Sequence, residues 1–340
     1  NAVKSRLFVE LALKRIERVK MKERMKKRFN KDGNGVQLSI QPQLPGSLNI
    51  ELTSACNHNC VFCPYHSWML PENERRSSHT MDYETVDMLL LKAVEEGIGE
   101  AEVGFHMTGE SVLHKDFTKC VKRAKELGFK YVFTTTNGVY MTPDRFVESA
   151  EAGLDSLRFS INGYDRESYE SVHGKDDFDI VMKNLNFMSE YKKKHNLKMV
   201  TSISVVLTKK TFKYKEKFEE LLEGLADELV FIPVLSLERI SEKAQDIYGF
   251  NSNGEYEYTP CPTVFNSMYI SSEGFVVPCC STTKIDGMIL GNIHEAVSLK
   301  EIWLNKAFCD LRKNFIEGNI PQEWCKGCAL INKKQQMIME

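Results

Sequence analysis

Seven of the ten cysteines fall into spaced groups that suit metal chemistry. Cys56, Cys60 and Cys63 form a C-x3-C-x2-C loop, and Cys325 and Cys328 form a late C-x2-C, with Cys261 and Cys279 upstream of it. Short spacings of this kind read as metal ligation in a reducing compartment rather than as a disulfide framework, so the expectation is a cytoplasmic protein. Three thiolates can hold three irons of a [4Fe–4S] cubane and leave the fourth iron open. The same loop suits zinc if His58 or His66 supplies a fourth ligand. The four later cysteines suit a fully ligated cluster, a single iron or zinc, because four thiolates do not identify a metal. Of the remaining three, Cys120 reads as a core residue. Cys280 and Cys309 are spare thiols able to pack, to ligate or to donate a hydrogen atom.

The elements that must position these groups follow a strand–helix rhythm. Candidate strands are 47–53, 101–107, 131–136, 156–161, 200–207 and 228–234. Candidate helices between them are 83–96, 115–127, 142–152, 178–195 and 215–224. Such alternation implies parallel pairing. Six units are too few to close an eight-stranded barrel, so the fold class is α/β, a partial (β/α)6 barrel over residues 47–235. The first cysteine loop follows the first strand, where such a barrel places its chemistry. Residues 236–260 read as a linker. Residues 261–330 hold six cysteines and a hairpin pattern, Tyr269–Ile270 and Phe275–Val277 around Gly274, and form a small C-terminal domain; 331–340 is a tail. Residues 1–32 carry twelve Lys/Arg against four Asp/Glu and read as a basic amphipathic helix, either packed on the body or meeting an anionic partner; residues 1–46 together form an N-terminal extension and linker.

The 340 residues are 42% hydrophobic, enough for a sizeable core, and the net charge of −2 argues against a nucleic-acid-tracking surface. No apolar run of roughly 18 residues is present to span a membrane.

The first loop, CNHNCVFC with Phe62 before the last cysteine, resembles the radical S-adenosylmethionine (SAM) superfamily. Three strand-end segments add to the resemblance: Thr108-Gly109-Glu110-Ser111, Thr136-Asn137-Gly138 and Ser160-Ile161-Asn162-Gly163. The resemblance implies a site-differentiated [4Fe–4S] cluster on Cys56, Cys60 and Cys63. It places Phe62, Thr108, Gly109, Glu110, Asn137, Ser160 and Asn162 around the cofactor, with Glu110 on the methionine ammonium. Thr108, Ser111 and Asn162 depart from the family's glycine, proline and aspartate. The C-terminal cysteines resemble the auxiliary-cluster domain called SPASM, or its shortened form called twitch. They imply one further [4Fe–4S] cluster on Cys261, Cys279, Cys325 and Cys328, since no cysteine follows Cys328.

The implied activity is reductive cleavage of SAM to a 5′-deoxyadenosyl radical that abstracts hydrogen, fed by a donor such as flavodoxin or ferredoxin. The short length and single auxiliary cluster look like the cyclitol dehydrogenases. The expected reaction is therefore oxidation of a hydroxyl-bearing carbon of a carbohydrate or cyclitol, with Arg158 as a candidate substrate contact. The alternatives are a redox-neutral epimerase using Cys280 or Cys309 as hydrogen donor, a ribosomal-peptide maturase, and a non-catalytic iron–sulfur carrier or scaffold. The segment 65–81 reads as a mobile loop whose Arg75 and Arg76 are available to an anionic group.

Overall fold

A computed structural model describes residues 38–67, 72–208, 211–233, 257–282, 287–320, 325 and 328–331. The basic helix expected over 1–32, most of the linker expected over 236–260 and the tail beyond 331 lie outside the described residues. No helix among the described residues is long and apolar enough to cross a membrane.

Six strands run parallel in chain order: β1 (Ser47–Ile50), β2 (Glu102–Phe105), β3 (Val132–Thr136), β4 (Ser156–Ser160), β5 (Val200–Leu207) and β6 (Glu228–Pro233). Each lies within or at the edge of an expected strand. Between them run α1 (Tyr83–Glu96), α2 (Phe117–Glu126), α3 (Pro143–Glu151), α4 (Arg166–His173), α5 (Phe178–His195) and α6 (Lys215–Leu222). Local chemistry sets the helix ends. The Asp82 carboxylate accepts the Thr85 N–H to start α1, and Gly97 at φ 72 closes it in the left-handed region that a side chain disfavours. Asp165 and Ser168 cap α4 reciprocally.

Alternate residues of the strands form the core. Leu48, Ile50, Val103, Phe105, Val132, Leu157, Phe159, Ile203 and Val205 are fully buried, together with Leu89, Leu90, Phe117, Val121, Phe146 and Leu185 of the helices. Each such side chain stabilises the fold by roughly 1.5–3 kcal/mol. Cys120 is among them, fully buried on α2 as expected. The intervening strand positions carry Asn49, Glu51, His106, Arg158, Ser202 and Ser204, so the inner face of the partial barrel is polar.

The C-terminal segment contributes α7 (Thr263–Asn266), β7 (Ser267–Ile270), β8 (Phe275–Val277), β9 (Gly291–Asn292), α8 (Leu299–Trp303) and α9 (Lys306–Ile316). The hairpin expected around Gly274 is present as the antiparallel β7–β8 pair. β7 also pairs in parallel with β1, Leu48 opposite Met268 and Ile50 opposite Ile270. One sheet therefore runs β6-β5-β4-β3-β2-β1-β7-β8-β9, and the cysteine-rich segment is built onto the open edge of the barrel. Arg312 of α9 is wholly buried; it donates to the carbonyls of Val264 and Trp303 and stacks on the Trp303 ring at 4.0 Å.

Candidate active site

The three cysteines of the first loop sit beyond the end of β1, and backbone hydrogen bonds hold that loop. Asn59 N donates to His173 O (3.1 Å) and Val61 N to Val172 O (2.8 Å), so the C-terminal end of α4 supports it from behind. In front, Glu110 N donates to Ala55 O (2.8 Å). Gly109 makes that approach possible. A Cβ there would overlap the Thr53 carbonyl and stand 2.7 Å from Ser54 C and 2.8 Å from Ala55 O. The glycine of the TGES segment is thus required by its contact with the cysteine loop.

The thiols are close enough to repel one another as thiolates. Burial pushes Cys56 up to about 12, with the Glu110 carboxylate and Cys63 adding to the effect. Burial also raises Cys60, with Cys56 and Cys63 as further causes, and raises Cys63. Three half-buried thiols that raise one another's pKa are what a cationic cluster compensates, since metal coordination deprotonates them outright. His58 is not a free fourth ligand for zinc: both its ring nitrogens are engaged, Nε2 with Asp177 Oδ2 (3.1 Å) and Nδ1 with His173 Nδ1 (3.2 Å).

Glu110 is buried beside this loop. Its Oε1 accepts from Thr136 Oγ1 (2.8 Å) and Val112 N (3.2 Å), and its Oε2 from Asn137 N (2.7 Å). Burial raises its pKa against the pull of these three bonds. A carboxylate has about four lone-pair sites, so one remains on Oε2 for a cationic donor such as a methionine ammonium. The residues present fit SAM in this respect. Asn137 Nδ2 donates to Asn57 Oδ1 (2.8 Å), which ties the TNG turn to the cysteine loop.

Other expected cofactor residues are placed differently. Thr108 turns its hydroxyl to Glu51 and its backbone N–H to the same carboxylate (3.1 Å). Asn162 is buried, with Oδ1 accepting Val206 N (2.6 Å) and Nδ2 3.3 Å from His173 Nε2, so its carboxamide already has protein partners. Ser160 Oγ lies 3.4 Å from Ser204 Oγ, and Phe62 is half-buried in the cysteine loop.

Arg76 departs from the sequence reading that left it available to an anionic ligand: its charge is taken up within the fold. It is 4% exposed. Its guanidinium bonds both Glu51 carboxylate oxygens at 2.8 Å, and it reaches Thr108 and Glu273 as well. Ser272 N adds a donor to Glu51 (3.0 Å). Burial pushes Glu51 up, but the hydrogen bonds and charge of Arg76, with Thr108 and Ser272, outweigh it and hold the carboxyl below its usual range. This cluster joins the end of β1, the TGES segment and the β7–β8 turn.

His106 is a further residue that sequence patterning did not single out. Its Nε2 lies 2.9 Å from Asn49 Oδ1, while Asn49 Nδ2 donates to Ser47 Oγ (3.2 Å), an orientation that makes Nε2 the protonated nitrogen. Nδ1 is left as an acceptor with no hydrogen-bond partner among the described residues. Burial, then the nearby positive charge of Arg158, pull its pKa down to about 4, against the opposing pull of Glu51. The ring contacts Phe133 and Tyr269, with centroids at 5.2 and 6.4 Å. Arg158 Nε donates to Ser202 Oγ (3.2 Å).

In the C-terminal segment, Cys261, Cys279, Cys325 and Cys328 come together. Burial raises all four, Cys325 and Cys328 to about 12, and Cys261 is among the further causes for each of the other three. Cys280 adjoins the group and feels Glu51. Cys309 lies on α9, its thiol meeting Leu304 O at 3.5 Å beside Arg312.

The radical SAM superfamily model matches residues 50–223, just over half the chain. The chain belongs to the radical SAM superfamily. A second model, the iron–sulfur cluster-binding domain called SPASM, matches 261–329. This radical SAM enzyme therefore uses SAM and [4Fe–4S] clusters. It is 32% identical over 138 residues to a probable GTP 3′,8-cyclase of Saccharolobus islandicus, which is 41% of this chain and 42% of that relative. The matched region thus spans less than half of that relative's length. Among solved structures, anSMEcpe with bound AdoMet superposes with a TM-score of 0.61 at 20% identity, covering 85% of this chain and 89% of that one. BtrN in complex with AdoMet and 2-DOIA superposes at 0.53 and 20%, covering 84% and 94%. Both likenesses bear out the barrel fold.

Proposed function

We propose that this radical SAM enzyme oxidises a hydroxyl-bearing carbon of a small polyhydroxylated substrate, a carbohydrate or cyclitol. When bound, the two cofactor groups supply a 5′-deoxyadenosyl radical for hydrogen abstraction and an acceptor for the substrate's electron. Cys56, Cys60 and Cys63 would hold the first cluster, Glu110 the methionine ammonium, and Cys261, Cys279, Cys325 and Cys328 the second cluster.

The observation that carries the reading is His106 on the polar inner face. A neutral imidazole with Nε2–H fixed by Asn49 presents Nδ1 as an acceptor for a substrate hydroxyl proton. The Arg158 guanidinium, near enough to depress His106, donates to an oxygen that gains carbonyl character. This charge balance suits a neutral polyol better than a triphosphate such as GTP. Arg76 is committed to two carboxylates, and Glu51 is buried beside it.

A second reading, redox-neutral epimerisation, is favoured by Cys280, which adjoins the cluster ligand Cys279 and lies within electrostatic reach of Glu51. The test is anaerobic turnover with SAM and reductant against a panel of cyclitols, amino sugars and GTP, in deuterated water. Oxidation predicts one carbonyl product per 5′-deoxyadenosine and no deuterium at the reacting carbon. Deuterium there, lost in Cys280→Ala, establishes epimerisation, and turnover of GTP alone overturns both readings.

A further inference from the structure

Behind the first cysteine loop lies a chain of buried hydrogen bonds that neither the cofactor motifs nor the substrate face requires. Asn162 N donates to His173 Nε2 (3.1 Å). A backbone N–H can only donate, so Nε2 must carry the lone pair and the ring proton of neutral His173 must sit on Nδ1. That nitrogen lies 3.4 Å from Cys60 Sγ and 3.2 Å from His58 Nδ1. His58 is fixed in turn, because its Nε2 lies 3.1 Å from the Asp177 carboxylate, which accepts, so its Nδ1 is an acceptor. The proton on His173 Nδ1 therefore has two acceptors, a histidine nitrogen and a cysteine sulfur. His173 is stacked on Tyr169 with centroids 4.1 Å apart, and both histidines are 1% exposed. The ring cannot rotate away without unstacking and without stripping Asn162 N of its acceptor.

We propose that His173 is a positioning residue for the first iron–sulfur cluster: its Nδ1–H donates to the Cys60 thiolate and raises the cluster's reduction potential, and the Asn162 backbone N–H holds that proton on Nδ1. A donor to a cluster sulfur favours the reduced state, which carries one more negative charge on the cluster and its thiolates. Cys56 and Cys63 meet other donors: the backbone N–H of His58 and, at 4.0 Å, Asn137 Nδ2 for Cys56, and the backbone N–H groups of Tyr65 and His66 for Cys63. The contribution of His173 falls on the Cys60 thiolate. The competing assignment is a separate metal held by His58, Cys60 and His173, whose ligand atoms lie within 4.8 Å of one another.

The experiment uses the reconstituted full chain, reduced anaerobically, with histidine labelled by nitrogen-15. In the unsubstituted protein, pulsed EPR of the reduced first cluster should show a weak labelled-nitrogen coupling and an exchangeable proton that disappears in deuterated water. A strong nitrogen coupling, or zinc or extra iron in stoichiometric amount, means ligation by histidine and overturns the proposal, as does the absence of any labelled-nitrogen coupling. EPR-monitored redox titration should place the first cluster of His173→Phe at a lower potential than the parent. His173→Asn, whose amide can donate to the sulfur, should recover part of that shift. Equal potentials in parent and His173→Phe also overturn the proposal. If His173→Phe fails to assemble, the label measurement on the parent decides alone.

Discussion

Replacing Arg76 by Met tests whether the ion cluster at the barrel mouth is a structural joint. Arg76 offers two bonds of 2.8 Å to Glu51, whose side chain is 0% exposed, and further contacts to Glu273 and Thr108. Glu273 is partly exposed, so its share is small. The cost therefore comes chiefly from leaving the Glu51 carboxylate buried without its cation, about 3–5 kcal/mol for breaking such a pair. The sign with pH follows. In the parent, the Glu51 carboxyl is held below its usual 4.5, so it adds stability above that value, and that stability is lost as pH falls through the lower folded value. Without Arg76, burial, the largest cause, is opposed only by the Thr108 and Ser272 hydrogen bonds, and the carboxyl rises. The variant then loses stability at neutral pH and regains part of it, relative to the parent, as the solution approaches pH 5. Glu51→Gln with Arg76→Met should recover much of the loss, because no buried charge is left behind. Denaturant unfolding of all three proteins at pH 7.5 and pH 5.5 measures this. A loss under about 1 kcal/mol for Arg76→Met with no pH dependence would refute the reasoning, since it would mean that Glu51 finds water or another cation.

Other expectations concern the cofactor and the polar face. Gly109→Ala should displace the TGES segment from the cysteine loop, costing about 1–3 kcal/mol of stability and lowering SAM cleavage on the order of 100-fold through misplacement of Glu110; 5′-deoxyadenosine assays and thermal unfolding check both. Glu110→Gln should weaken SAM binding about ten-fold or more, equal to a charge-assisted bond of roughly 1.5–3 kcal/mol, while calorimetry of anaerobic protein shows both clusters retained. Anaerobic protein should carry about eight irons, falling to about four in Cys56→Ala, Cys60→Ala, Cys63→Ala, by iron analysis. His106 is held neutral in the fold, with its pKa pulled from 6.5 to about 4. The unfolded chain takes up its proton first on acidification, so this residue's contribution is present above pH 6.5 and shrinks by about 3 kcal/mol as pH falls from 6.5 to 4. His106→Asn should flatten the parent's loss of stability over that window in denaturant titrations.

The barrel was legible because its signals are local. The CxxxCxxC loop and each strand-end motif span only a few residues, and β1–β6 fall where alternation put them. The helix α4 was missed because RESYESVH carries an apolar stripe of only Tyr169 and Val172; its capping pair, Asp165 and Ser168, lacks the more familiar Glu or Gln. Arg76 reads from sequence as available to an outside anion because its partners lie 25 and 197 residues away, and no local pattern announces them. His58 read as a spare zinc ligand because its engagement with Asp177 and His173 depends on α4 and α5 folding back on the loop. Thr108 and Asn162, the departures from the family pattern, prove to be committed to Glu51 and to Val206 and His173. That commitment gives a physical reason for residue types at these positions that motif comparison treats as mismatches.

The parallel pairing of β1 with β7 also bears on how the chain acquires its shape. The first strand of the barrel finds one of its two neighbours more than 200 residues later, Ser47 opposite Ser267. Contacts of such sequence separation slow folding. During synthesis, a chain complete only to β6 leaves β1 as an edge, with its backbone groups open to pairing with another chain. The residues that then seal that edge lie between Cys261 and Cys279, two of the four grouped C-terminal cysteines. Closure of the barrel edge therefore brings the first two of those cysteines into place before Cys325 and Cys328 complete the second site. A chain interrupted before residue 270 should be prone to self-association through β1, even though every residue of the CxxxCxxC loop is present.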